Sequence, residues 1–249
     1  MSPPITRHTA TYSGRNLHGQ VVNELGRRVV SGSYPAGAVL PNEELLCQEL
    51  QVSRTALREA IKVLAAKGLL EARPRIGTRV RARELWNLLD PDILAWRCTT
   101  GADAEFLHHL AELREIIEPA AASLAANSRS EEQLSAIASA LNDMRDAPAI
   151  AQWIEADLAF HTAVLRATNN PLLMPLAAII GSALESLLGV SARSAGDFKR
   201  GLPDHQKVYD AIKSRDAQSA LHRMAGLLSD TRQLMKQLPT PARKVVWQR

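Results

Sequence analysis

The stretch VSRTALREAIKVLAAKGLLEARPRIGTRV, residues 52–80, carries five arginines and two lysines around an apolar ladder, then breaks at Pro74 and Gly77. Ser53 is a helix-capping residue type and Gly68 a terminating one, so the spacing predicts a helix between them. At about 100° per residue, Ala56, Leu57, Ala60, Val63 and Leu64 fall on one arc, with Ile61 at its edge. Arg54, Thr55, Arg58, Glu59 and Lys62 share the other arc. One face is built to pack; the other presents cations and a hydroxyl. Beyond Gly68, LLEAR and TRVRA flank PRIG, which reads as two short strands around a hairpin turn.

A cationic helix face is usually just a solvated one, so the preceding residues matter. Asn16 reads as the cap of a first helix, with Leu17, Val21, Val22, Leu25 and Val29 at helical spacing up to Gly32. SYPAGAVLP is a turn-rich loop. NEELLCQEL reads as a short second helix, capped by Asn42 and with acids in its first turn. Three helices followed by two strands make a winged helix-turn-helix, whose third helix enters the DNA major groove by its N-terminal residues. There Arg54 and Arg58 would donate paired hydrogen bonds to guanine, while Ser53 and Thr55 would reach phosphate or base edges. The hairpin would lay Arg75 and Arg79 along the backbone, and Gly77 would let its tip approach closely.

Charge agrees with that division. The chain of 249 residues has a net charge of +4. Residues 1–83 hold 13 Lys and Arg against 6 Asp and Glu, or +7; residues 84–249 hold 17 against 20, or −3. A basic small domain joined to a mildly acidic larger one fits a polyanionic partner for the first part alone. Aromatic residues are only 4% while Ala and Leu are plentiful, which favours packed helices over a β-sandwich. No apolar run reaches the 18 residues of a membrane span, and the start of the chain lacks the apolar core of a signal peptide. Cys47 and Cys98 form neither a disulfide framework nor a metal spacing, so reduced thiols in a cytoplasm are expected.

Residues 84–97, ELWNLLDPDILAWR, read as a link. From there to about 238 the patterns are helical almost throughout: AEFLHHLAELREIIEPAAASLAAN, SEEQLSAIASALNDMRD with Ser130 as cap, AQWIEADLAFHTAVLRATNN, PLLMPLAAIIGSALESLLGVSAR, LPDHQKVYDAIKSRD and AQSALHRMAGLLSDTRQLMKQL. The fold class expected is mainly α: a winged helix-turn-helix at 16–83, then an all-α bundle at 98–238. Residues 1–15 read as an arm and 239–249 as a tail. Within the bundle Asp157 and His161 lie four apart, on one helix face, and His205 opens a later helix. Imidazoles with a carboxylate are a usual divalent-metal set, although Asp and His at this spacing are more often a surface pair.

The run from Gly32 to Val80 resembles the DNA-binding domain of GntR-family transcriptional regulators. The carriers are Pro35, Gly37, Leu40, Pro41 and Glu43, then Val52, Ser53, Arg54, Arg58, Glu59 and Ala60, then Gly68, Leu69, Gly77, Thr78 and Val80. The resemblance implies DNA contacts at Ser53, Arg54, Thr55 and Arg58, with Gly77 at the wing tip. Two positions depart from the pattern: Glu44 stands where an arginine is frequent, and Arg75 where the first wing glycine is usual.

The segments ELREIIEPAAASLAA, ADLAFHTAVLRATNNPLL and HQKVYDAIKSRDAQSA resemble the FCD effector domain of the family's FadR subfamily. That resemblance implies that Asp157, His161 and His205 hold a divalent metal, Zn²⁺ or a similar ion, which helps bind a small carboxylate. The place of a further histidine ligand is taken by Leu227, and His222 is out of phase with it. Arg114 matches a pocket-facing arginine that would pair with the effector carboxylate; a salt bridge to Glu118, four residues on, is its other reading. Arg193 and Arg232 are further basic candidates. The phrase LWNLLDPDILAW is similar to sugar-acid regulators of the subfamily. Together these imply a homodimeric repressor on a palindromic operator, released by a sugar acid.

Two other classes compete. A metal-dependent enzyme would use the same three ligands and a metal-bound water, but Glu155 is out of phase as a base and no better candidate exists. A non-specific nucleic-acid binder explains the basic domain and leaves the buried polar set without a purpose. Within the regulator class, an acyl-CoA sensor without metal is the alternative effector reading.

Overall fold

Asn42 and Ser53 do at atomic level what capping residues do: their side chains accept from Leu45 N at 2.9 Å and Ala56 N at 3.2 Å. In a computed structural model, which describes residues 17–100, 104–181 and 198–236, these caps open the second and third helices. The chain divides into two units, residues 1–102 and 103–249. Asn16, the N-terminal arm, Arg193, the side chain of Arg232 and the C-terminal tail lie outside the described residues.

The first unit contains α1 (Leu17–Val30), α2 (Glu43–Leu50) and α3 (Arg54–Ala66), then the antiparallel strands β1 (Leu70–Arg73) and β2 (Gly77–Val80). The register pairs Leu70 with Val80 and Arg73 with Gly77. Gln51, at φ 54°, makes the tight connection between α2 and α3. In α3 Leu57, Ala60 and Leu64 are buried while Arg54, Thr55, Arg58, Glu59 and Lys62 are exposed, the division that the helical angle predicts. Leu57 and Leu64 join Val22, Leu25, Leu46, Leu69 and Leu70 in one core.

Residues 84–97 do more than link. A 3₁₀ turn at Arg83–Leu85 leads into α4 (Pro91–Thr99), and Trp86, Ile93 and Trp96 enter the core of the first unit. Asp90 caps α4 through Asp92 N and Ile93 N, and Pro91 occupies the first helical position, where its missing N–H costs nothing. The Trp96 indole donates to Asn23 Oδ1 of α1 at 2.6 Å. Lys67, at the C-cap of α3, pairs with Asp90 at 2.8 Å and with the fully buried Asp92 at 2.6 Å. Gly68 has φ +80°, and a Cβ there would meet the Leu85 carbonyl at 2.5 Å, so only glycine fits the turn.

The second unit contains α5 (Ala104–Ser128), α6 (Glu131–Asp146), α7 (Ile150–Ala167), α8 (Leu202–Lys213) and α9 (Ala217–Lys236). Helix α5 packs on α7, α8 and α9, and α6 packs on α7 and α8. Ser130 and Gln133 close a capping box at the start of α6. The core between these helices includes Ile137, Met144, Phe160, Val208, Ile212 and Met224. The run from Pro171, read as one helix, begins instead as a 3₁₀ turn to Leu176 and becomes helical at 177. Pro175, four residues after Pro171, has no N–H for an α-helical bond. Residues 182–197 of that run lie outside the described residues.

Candidate functional site

Helices α5, α7 and α8 bring five polar side chains together inside the second unit. Asp157 and His161 lie on the buried face of α7, and His205 lies in the first turn of α8. Asp157 Oδ1 is 2.8 Å from His205 Nε2 and 3.3 Å from His161 Nε2. All three residues are at most 5% exposed. Two donor atoms bound to one tetrahedral ion at about 2.0–2.1 Å stand roughly 3.3 Å apart, and the three donor atoms here all lie within 4.8 Å of one another.

The outer nitrogens decide the chemistry of this set. His205 Nδ1 lies 2.8 Å from the Gly201 carbonyl, an acceptor that would hold a proton on Nδ1 while Nε2 takes a metal. His161 Nδ1 meets a carboxylate oxygen of Glu118 on α5 and is protonated for the same reason. Both rings therefore turn Nε2 inward to Asp157. Histidines that ligate metals are held this way, by an oxygen partner on the far nitrogen that fixes tautomer and orientation. The residues present fit a divalent ion, with Asp157 Oδ1 and two Nε2 atoms as ligands and Glu118 behind them.

Glu118 had no place in the sequence reading beyond a helical neighbour of Arg114. Here it is 2% exposed and joins two functional groups, because Arg114 Nε donates to its other oxygen at 2.5 Å. Arg114 Nη2 lies 3.4 Å from His161 Nε2, so the guanidinium borders the ligand set. The expected salt bridge is present, and the arginine also stands at the site. The signal for Glu118 was its helical spacing from Arg114; its contact with His161, 43 positions on, had no local trace.

Electrostatics bind the group together. Burial opposes ionisation of Glu118, but Arg114 and His161 overcome it and hold the carboxyl at about 2. Asp157 is likewise buried, yet the two histidines push its pKa far below the usual carboxylate range. Burial works against a charged His161, and Glu118 and Asp157 outweigh it, raising the ring to about 9. Without a metal, a proton on His161 balances the two carboxylates together with Arg114.

Leu227 is buried among apolar neighbours of the core, and His222 is exposed beside Gln218. Among the described residues, Asp157, His161 and His205 are the group whose donor atoms converge. Trp153 and Phe160 set ring edges against His205 at 6.3 and 5.1 Å, which closes the site with apolar surface.

The first unit carries the second constellation. Arg54, Thr55 and Arg58 stand exposed on the N-terminal half of α3, beside Ser53. The Ser53 oxygen accepts from the helix, which leaves its hydroxyl hydrogen to donate. Arg58 is held by Glu43 of α2, with Nε at 3.0 Å and Nη2 at 2.9 Å from Glu43 Oε2. At the hairpin tip Arg75 takes φ 65°, the conformation that explains the usual glycine there, and Gly77 takes φ 108°. Arg79 is exposed and donates from Nε to the Gly37 carbonyl at 2.9 Å. Glu44, in the place of a frequent arginine, is exposed on α2.

Comparison with known proteins fits both units. Residues 17–80 match the profile of bacterial regulatory proteins of the gntR family, and residues 109–230 match the FCD domain. The chain belongs to the GntR family of transcriptional regulators, with an FCD domain. It is 32% identical over 228 residues to the galactonate operon transcriptional repressor of Escherichia coli K12, covering 90% of this chain and 98% of that one. It is 34% identical over 217 residues to the uncharacterized regulator YieP of the same organism, covering 86% and 93%. A solved Listeria monocytogenes protein, described as Lar controlling expression of the agr system, shares the fold at TM-score 0.66 with 18% identity. That match covers 91% of this chain and all of the other. The family and these relatives are regulators, which places the chain with DNA-binding proteins and not with metal-dependent enzymes. No helix among the described residues is long and apolar enough to cross a membrane.

Proposed function

We propose that this GntR regulator is a metabolite-responsive repressor, in which a divalent metal held by Asp157, His161 and His205 helps bind a small carboxylate. The observation that carries the reading is the pair of anchored Nδ1 atoms, which turn both Nε2 atoms onto Asp157 beside the Arg114 guanidinium. Charge points to an acid. With a neutral His161 and a divalent ion, Arg114, Glu118, Asp157 and the ion sum to +1, which a monocarboxylate neutralises. The metal would supply a Lewis-acidic anchor for a carboxylate oxygen, and Arg114 Nη2 would donate a charge-assisted hydrogen bond to the same group. The galactonate-operon repressor among the relatives supports a sugar acid as effector.

At the other end, Ser53, Arg54, Thr55 and Arg58 read a half-site in the major groove, and Gly77 and Arg79 place the wing against the backbone. A homodimer presents two such heads to a palindromic operator in the cytoplasm. Effector and operator then change each other's affinity by one factor.

A thermal-shift series on zinc-loaded and EDTA-treated protein against galactonate and other sugar or hydroxy acids tests the effector half. A ligand at 100 times its Kd stabilises by about 2.7 kcal/mol. A shift with one acid, abolished by EDTA and by Asp157→Asn, is the expected result. Shifts that ignore EDTA refute the metal; no shift with any acid refutes the carboxylate and leaves acyl-CoA as the next ligand to try.

A further inference from the structure

The recognition face contains one acidic group gripping a base-reading cation. Glu43 reaches from the first turn of α2 to Arg58 on α3, 15 positions away, and holds it along one edge. Nε lies 3.1 and 3.0 Å from the two carboxylate oxygens, and Nη2 lies 2.9 Å from Oε2. The Arg58 and Glu43 side chains are 63% and 42% exposed. Ion pairs this exposed add little to fold stability. A carboxylate on a DNA-facing surface also repels phosphate. A place in the first turn of α2 suits an acid there, but it does not account for the grip on Arg58.

The donors account for it. A guanidinium has five N–H groups in a fixed fork. Glu43 takes Nε–H and one Nη2 hydrogen. Left over are the second Nη2 hydrogen and the two on Nη1, which form the outer edge of the fork. That edge offers two parallel donors, the pattern that guanine O6 and N7 accept. A free arginine side chain samples many rotamers and binds any phosphate within reach. One clamped along its Nε edge loses that freedom before DNA arrives and presents the base-reading edge alone. The carboxylate also cancels the charge that non-specific binding depends on.

We infer that Glu43 is a positioning residue for sequence readout, fixing Arg58 in its base-reading geometry and suppressing its use as a phosphate contact. The inference rests on the reading of Arg58 as a base contact. It assigns Glu43 to specificity, so its loss tightens binding to random DNA while blurring the operator.

The test compares full-length wild type, Glu43→Gln, Glu43→Asp and Arg58→Ala by selection from a randomised duplex library and by titration of a random-sequence duplex at several salt concentrations. Circular dichroism checks folding; the Asn42 cap of α2 is untouched by these substitutions and should keep the helix in place. For Glu43→Gln we expect weaker preference at one base pair per half-site, tighter random-duplex binding, and a salt slope steeper by roughly one unit. Glu43→Asp, shorter by a methylene but still charged, should blur the same base pair and keep the wild-type slope. If Glu43→Gln keeps full preference, or binds random duplex more weakly, the positioning role is refuted. An Arg58→Ala protein that loses the same preference would show that the base contact stands even then. An Arg58→Ala protein with unchanged selection and affinity would refute the base contact, and the inference with it.

Discussion

Raising the pH of metal-free protein from 6 to 9.5 should weaken it in a defined window. His161 titrates near 6.5 in an unfolded chain and at about 9 in the fold, where Glu118 and Asp157 overcome the cost of its burial. A group raised on folding stabilises the fold fully below its unfolded pKa and ceases to do so above its folded one. The contribution is therefore complete below pH 6.5 and lost by about pH 9. A 2.5-unit displacement corresponds to roughly 3 kcal/mol. Glu118, lowered from 4.5 to about 2, shares that same attraction, so its acid-side loss between those values is not a separate quantity to add. Urea titrations of EDTA-treated protein at half-unit pH steps would measure the decline, with His161→Gln as the control that removes it. Zinc-loaded protein should show the opposite trend from pH 5 to 7, since the ion needs a neutral imidazole and gains affinity as protons leave. A flat profile in EDTA, or a decline that survives His161→Gln, would refute the charge arrangement described for this site.

Three further outcomes are expected. Arg54→Ala and Arg58→Ala should each weaken binding to a selected operator by about 1–3 kcal/mol, measured by fluorescence anisotropy. Arg75→Gly should raise the stability of the first unit by about 1 kcal/mol, since φ 65° strains any side chain, while weakening DNA binding through the lost cation; melting and anisotropy would move in opposite senses. Trp96→Ala should cost about 3–5 kcal/mol in urea unfolding, because the ring is 2% exposed and its indole N–H satisfies Asn23.

The first unit was largely open to sequence reasoning because its signals are local. Caps at Asn42 and Ser53, the helical angle of α3 and the hairpin glycine each depend on neighbours within a few residues. Helix α4 escaped although Asp90–Pro91 is a capping pair, because its few apolar residues make no long periodic stripe. In the second unit, Asp157, His161 and His205 were nameable as residue types on helices. What turns them into a site is non-local: the Gly201 carbonyl behind His205, Glu118 behind His161, and the approach of α5 to α7. Such partners leave no mark in spacing, and even the Arg114–Glu118 pair looked like an ordinary helical ion pair until a third element met it.

The docking of α4 bears on how the DNA-binding head can be handled in isolation. A fragment cut where the gntR profile ends, at residue 80, would discard Trp86, Ile93 and Trp96 and open to water the face of α1 against which Trp96 packs. It would also strand Lys67 without the two aspartates that neutralise it. Such a piece should be sticky and prone to aggregate, whereas one carried through Thr99 keeps its own lid and should be the smallest head that stays soluble and binds DNA.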